Sequence, residues 1–165
     1  MPTTVYVRRR IDAPPEEVWA VLSDISQAPR WNSAWQAVAM VGQQREGVGT
    51  VFRAVNAAGL SSEFEVVQWV SAEYIAFASR NQEDTEGIWI SVEEQAIHLR
   101  PTREGQTEVT LAASARSHGL RGWLVSKLVW PGYQRRGLNE ALDSLEALFL
   151  AEEEPAESSY YEEPE

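Results

Sequence analysis

Ile11-Asp12-Ala13-Pro14-Pro15-Glu16-Glu17-Val18-Trp19-Ala20-Val21-Leu22-Ser23-Asp24, followed by Pro29-Arg30-Trp31-Asn32, is the stretch that decides the fold. Prolines suit the first turn of a helix, where an amide needs no acceptor, and Glu16 and Glu17 suit the positive end of the helix dipole. Val18, Val21, Leu22 and Ile25 then share one face, so the segment reads as a short amphipathic helix. Ser26 to Asn32 reads as a second, very short helix capped by Ser26. Upstream, Val5, Val7, Arg9 and Ile11 alternate with Tyr6, Arg8 and Arg10, the period of a strand exposed on one side. The triple arginine is therefore read as strand edge and not as a binding patch.

From Trp35 to about Arg116 the chain turns to short β-like runs separated by Gly42, Gly47, Gly49, Gly59 and Gly105. Strands are expected near 35–42, 48–56, 60–70, 73–80, 86–102 and 106–116. In the fifth, Ile88, Ile90 and Val92 are apolar on even positions, whereas Ile97 and Leu99 are apolar on odd ones. The phase slips within Glu93–Ala96, where no turn residue stands, so a β-bulge in one long strand is expected. After Ser117-His118-Gly119 a helical period returns, from Leu120 through Leu148 and Phe149. It predicts one long amphipathic helix with a kink or break at Trp130–Tyr133, where Pro131 and Gly132 interrupt it.

The chain has 165 residues, 44% apolar and 24% charged, with no cysteine, which bounds it to one domain of ordinary composition. Residues 1–151 are read as that domain and 152–165 as an acidic, disordered tail. Fourteen basic residues face 25 acidic ones, a net charge of −11, but seven of the glutamates lie in the tail, leaving −4 on the body. With Lys127 its single lysine, such a body lacks the basic face that phosphate binding needs, which argues against a nucleic-acid partner. The lack of cysteine excludes disulfides, thiol chemistry and Cys-ligated zinc. His98 and His118 stand far apart among scattered carboxylates, so no metal site and no cofactor are expected. No apolar run approaches the ~18 residues of a membrane span, and Met1–Arg10 has no secretion signal. The expectation is a cytoplasmic protein with no stable membrane insertion.

One strand, two short helices, six strands and a long final helix is the order of the helix-grip fold. The opening segment quoted above resembles that of the START-like superfamily (Bet v 1-like, SRPBCC), especially its bacterial polyketide cyclase/dehydrase branch. Glu65-Val66-Val67-Gln68-Trp69 with Ile75-Ala76-Phe77 is similar to the central hairpin of that branch, with Ser71-Ala72 in place of the usual prolines. Leu138 to Leu148 resembles its closing helix, so the resemblance spans roughly residues 3–150. It implies an α+β fold in which a seven-stranded antiparallel sheet wraps around the C-terminal helix, with a ligand cavity between them. A pocket of ~300 Å³, at the small end of the usual range, would cost roughly 7 kcal/mol if empty, against a net stability of about 5–15 kcal/mol. Such a space must hold water, a ligand or collapsed side chains.

Seven tryptophans, at 19, 31, 35, 69, 89, 123 and 130, supply large flat surfaces, most of which an ordinary core would also use. Phe52, Phe64, Phe77, Leu111, Leu124 and Leu128 fall on apolar faces and are the candidate ligand-binding residues, with Trp69 and Trp89 dependent on local register. Trp31 is expected to pin the short helices to the sheet. His118, at the last strand-to-helix junction, is the one catalytic candidate, while His98 is expected to face solvent. Glu63, Glu65 and Arg53 are read as surface cross-strand pairs. Lys127 is expected to lay its stem along Leu124 and Leu128 with its head in water. The Gly119–Trp130 segment combines aromatic and basic residues as a membrane-surface helix would, but the acidic body favours docking into the sheet. These readings point to binding or transport of a small hydrophobic molecule, aromatic or lipid-like. The alternatives are a polyketide cyclase/dehydratase-like enzyme using the same cavity and a protein-interaction module, and a homodimer is left open.

Overall fold

The computed structural model describes residues 2–80 and 90–153. Strand β1 (Thr3–Ile11) leads into α1 (Pro15–Leu22) and a 3-10 helix (Ile25–Arg30). Then follow β2 (Ala37–Val41), β3 (Val51–Val55), β4 (Ser61–Val70), β5 (Tyr74–Ser79), β6 (Ile90–Pro101) and β7 (Thr107–Ser117), before α2 (Gly119–Leu128) and α3 (Trp130–Glu153). The seven strands form one antiparallel sheet in the order β1-β7-β6-β5-β4-β3-β2, so the first strand pairs with the last and β1 and β2 are the edges. The chain crosses from one edge to the other through α1 and the 3-10 helix. The expected α+β architecture is the one found. Trp89, the start of the expected fifth strand and residues 154–165 lie outside the described residues.

Strand periodicity places the core. Along β7, Thr107, Val109, Leu111, Ala113 and Ala115 are buried on the concave face, opposite Val5, Val7 and Ile11 of β1. The buried Thr107 hydroxyl donates to the Ala13 carbonyl at 2.7 Å, tying the β1–α1 turn to the sheet. In β6 the register slips between Val92 and Glu94, leaving Glu93 as the extra residue of a bulge where the sequence phase changes. A second slip, between Val66 and Gln68 of β4, carries no turn residue to announce it. Val67 is the extra residue there, and the parity change brings Trp69 to the side of Phe64 and Val66, edge-on to Trp19 at 5.2 Å.

The last helical stretch is two helices. Pro131 lies in the first turn of α3, where its missing N–H removes no helical hydrogen bond, so it starts a new helix instead of kinking an existing one. Helix α3 buries Ala141, Leu142, Leu145 and Phe149. The Arg9 guanidinium on β1 reaches Asp143 and, at 2.9 Å, Glu146 of α3, clipping helix to sheet. Helix α2 corrects the expectation of docking by its apolar stripe. Its buried residues are Gly122 and Ser126, whereas Leu124 is 44% and Leu128 77% exposed. Periodicity reveals that a helix has an apolar face but not which way that face points. Here the small residues make the close approach.

Candidate functional site

Four rings fill the space under the 3-10 helix. Trp35, from the loop before β2, lies 5.5 Å from Phe52, 5.6 Å from Phe64 and 5.6 Å from Phe77, measured between centroids. Phe52, Phe64 and Phe77 stand on β3, β4 and β5 and lie 5.4–5.6 Å from one another. Tilted and edge-on contacts of this kind suit the quadrupoles of the rings. Two small voids remain beside the cluster. One, of about 10 Å³, is bordered by Trp31, Trp35, Phe52, Phe77 and aliphatic residues of α1, the 3-10 helix and the sheet. The other, of about 20 Å³, lies between Trp31, Asn32, Phe77, Gln95, Leu111 and, from α3, Leu138 and Ala141. Each is about the size of one water molecule, so collapsed side chains occupy most of the expected cavity.

Trp31 and Phe77 border both voids. The Trp31 indole is buried, and its Nε1–H has no hydrogen-bond partner among the described residues. An orphaned buried donor costs about 1–3 kcal/mol, and native structures contain few. Nearby, the Asn32 side-chain oxygen accepts from the Ala34 amide at 3.2 Å. Among the described residues, no titratable one borders either void. Outside, a groove of about 330 Å³ runs between Ser33, Ala34 and Ala57 on one side and Tyr133, Arg136, Gly137 and Glu140 of α3 on the other. Ala34 thus borders the groove while its neighbour Trp35 closes the interior.

Of the residues singled out in the sequence, the fold brings Phe52, Phe64, Phe77 and Leu111 together around this interior. Trp69 is half-buried against Trp19 under α1, and Leu124 and Leu128 stand outside on α2. The His118 Nε2 lies 3.1 Å from the Ser91 hydroxyl at the start of α2 and borders neither void nor groove. His98 projects from the convex face, edge-on to Tyr74, beside an open hollow of about 380 Å³ lined by Tyr6, Arg8 and Arg100 among others. Burial first, and the Glu94 carboxylate second, raise the Tyr74 phenol above its ordinary pKa. Glu63 pairs with Arg53 at 3.4 Å and Arg80 at 3.3 Å, and both arginines are about half exposed. Lys127 reaches the Thr3 hydroxyl at 3.4 Å on the surface. Trp35, Asn32 and Gln95 were not singled out as site residues. Gln95 shares odd parity with the buried Ile97 and Leu99, a signal that already turns it inward.

The fold is widely shared. The norcoclaurine synthase of Thalictrum flavum, in complex with dopamine and hydroxybenzaldehyde, superposes with a TM-score of 0.68 at 15% identity, over 94% of this chain and 90% of that one. Protein TTHA0849 from Thermus thermophilus gives 0.68 at 22% identity, over 91% and 99%. XoxI from Bacillus cereus gives 0.69 at 14%, over 93% and 99%. No curated protein matches in sequence. At these identities the structural likeness speaks for the fold alone, but a family model matches residues 2–149, nearly all of the described chain, and the chain belongs to the polyketide cyclase / dehydrase and lipid transport family.

Proposed function

We propose that this protein binds a small, neutral, largely aromatic molecule in the space that the sheet encloses with the 3-10 helix and α3. The observation that carries this reading is the unpartnered Nε1–H of Trp31, whose side chain borders the same void as Trp35, Phe52 and Phe77. Rings favour a flat apolar body, and the orphan donor favours an acceptor oxygen on it, such as a ketone or ether. A carboxylate would be buried with no countercharge among the described residues, none of which brings a cation to the voids. Trp35 sits on a loop and not on a strand, so its displacement would join the outer groove to the interior. The norcoclaurine synthase structure, whose bound molecules are both aromatic, lends the reading support by analogy of fold. Binding fits better than cyclase or dehydratase chemistry, because acid–base catalysis needs a proton-transferring group within reach of the ligand. His118 borders neither of the two voids.

Native mass spectrometry of the purified chain, with solvent extraction of any adduct, is the direct test. Two synthetic probes test the chemistry: 2-acetylnaphthalene and its hydrocarbon isostere 2-isopropenylnaphthalene. One neutral hydrogen bond is worth about 0.5–1.5 kcal/mol, so the ketone should bind roughly 2- to 10-fold more tightly. Trp31→Phe should erase that preference while keeping the hydrocarbon affinity. Equal affinities in the wild type would remove the Trp31 anchor, and failure of both probes to shift the melting temperature would remove the aromatic-pocket reading.

A further inference from the structure

We infer that the elbow formed by α2 and the first turns of α3 docks on an anionic lipid surface. Leu120 is 75%, Trp123 51%, Leu128 77% and Tyr133 74% exposed. Leu120, Trp123, Leu124 and Leu128 recur at three- and four-residue spacing, the repeat of a single helix face, while Gly122 and Ser126 turn inward. Single exposed leucines are ordinary, but a clustered apolar face marks an interaction site.

Charge identifies the occupant. Between Glu108 and Glu140 there is no aspartate or glutamate, yet this stretch holds five of the fourteen basic residues of a chain whose net charge is −11. Arg116 is engaged by Glu93 at 2.8 Å. Arg121, Lys127, Arg135 and Arg136 form no ion pair among the described residues. An exposed surface on which Leu, Trp and Tyr are interleaved with cations has the composition of a segment lying in a membrane interface. No described helix is long and apolar enough to cross a membrane. A second copy seated symmetrically on the same face would set Arg121 and Lys127 near their own counterparts, whereas an anionic bilayer attracts them. Along α3, Glu153 lies about 35 Å from Trp130 and about 25 Å from Arg136, some three to four Debye lengths at physiological salt. Tyr133 and Arg136 also border the outer groove, so docking would turn that groove, the entrance proposed above, toward lipid. This last link rests on the binding reading, and the docking does not.

The test is flotation of the full chain with vesicles of phosphatidylcholine alone and of phosphatidylcholine with about one-third phosphatidylglycerol. Binding is expected only to the anionic vesicles and should vanish near 1 M salt, where the Debye length falls to ~3 Å. Arg121→Gln and Lys127→Gln should each weaken partitioning about 5-fold. Trp123→Ser combined with Leu128→Ser should abolish it with little change in melting temperature, since both side chains are exposed. No binding to anionic vesicles, or binding that ignores salt and lipid charge, overturns the proposal whether or not a variant folds. Sedimentation showing a dimer that the double serine variant dissociates, without vesicle binding, would reassign the face to a contact between copies.

Discussion

Truncating Phe77 to alanine distinguishes a closed interior from an open one. Phe77 borders both voids and touches three other rings of the cluster, and its side chain is buried. Phe→Ala in a packed core costs about 3–5 kcal/mol, as lost transfer energy plus the cavity left behind. Three aromatic contacts, each worth about 0.5–1.5 kcal/mol beyond area, push the value toward the upper end. At roughly 2–4 °C per kcal/mol for a domain of this size, the midpoint should fall by about 6–20 °C. The truncation also joins the two voids into one apolar cavity able to hold a small aromatic ring. Indole at 100 times its dissociation constant should then restore about 2.7 kcal/mol, a recovery much smaller in the wild type. Denaturant titration with and without indole measures both. A loss under about 1 kcal/mol would refute the reasoning, because it would mean that Phe77 is not wedged among its neighbours and that the rings stand apart in solution.

Arg9→Leu should cost about 1 kcal/mol by denaturant titration, a modest figure because Asp143 and Glu146 are substantially exposed and solvent screens them. Hydrogen bonds to Asp143 and then Glu146 raise the guanidinium pKa above its ordinary value, so its contribution is complete below that value and lost only beyond it. The difference between wild type and variant should therefore stay flat from about pH 7 to pH 10. The phenol of Tyr74 is also raised, so its contribution is complete below the unfolded value of about 10 and is lost as pH rises through the folded one. Tyr74→Phe should flatten the alkaline fall in stability above about pH 10, and an unchanged slope would dismiss the effect. Ala72, at a φ of 61° in the β4–β5 turn, is the one non-glycine residue with positive φ among those described. The left-handed cost of about 1–2 kcal/mol exceeds glycine's entropic penalty of roughly 0.5–1 kcal/mol, so Ala72→Gly should raise stability by about 0.5–1 kcal/mol.

Much of the architecture was legible because it rests on period and punctuation. The alternation of β1, the phase slip that becomes the Glu93 bulge, and Pro131 at the start of α3 are local signals with local causes. The Val67 bulge was not legible. Nothing in Glu65–Trp69 departs from an ordinary strand composition, and the slip is settled by how β4 and β5 fit across the twisted sheet. The direction of Trp69 therefore stayed undetermined. Three phenylalanines of the site, on β3, β4 and β5, were readable from alternation, but Trp35 lies on a loop where no period applies. The partnerless Trp31 Nε1–H was equally hidden, since a missing partner is a property of the folded surroundings and leaves no mark on the chain.

The C-terminal apolar pattern bears two opposite orientations, and the difference constrains what α2 is for. In α3 the stripe Leu138, Ala141, Leu142, Leu145 and Phe149 is buried, so each of these residues contributes to the fold. In α2 the small Gly122 and Ser126 are buried instead, and the Ser126 hydroxyl satisfies itself on the Trp123 carbonyl at 2.8 Å. Folding alone would be served as well by polar residues at 120, 123 and 128, since exposed substitutions typically change stability by less than about 0.5 kcal/mol. It would be served better, in solubility, by a helix without an exposed apolar face. Leucine and tryptophan at those positions are thus unexplained by the stability of the described residues and accord with the proposed docking on a lipid surface. Four of the five basic residues between Glu108 and Glu140 form no ion pair among the described residues, which favours an anionic surface for that contact.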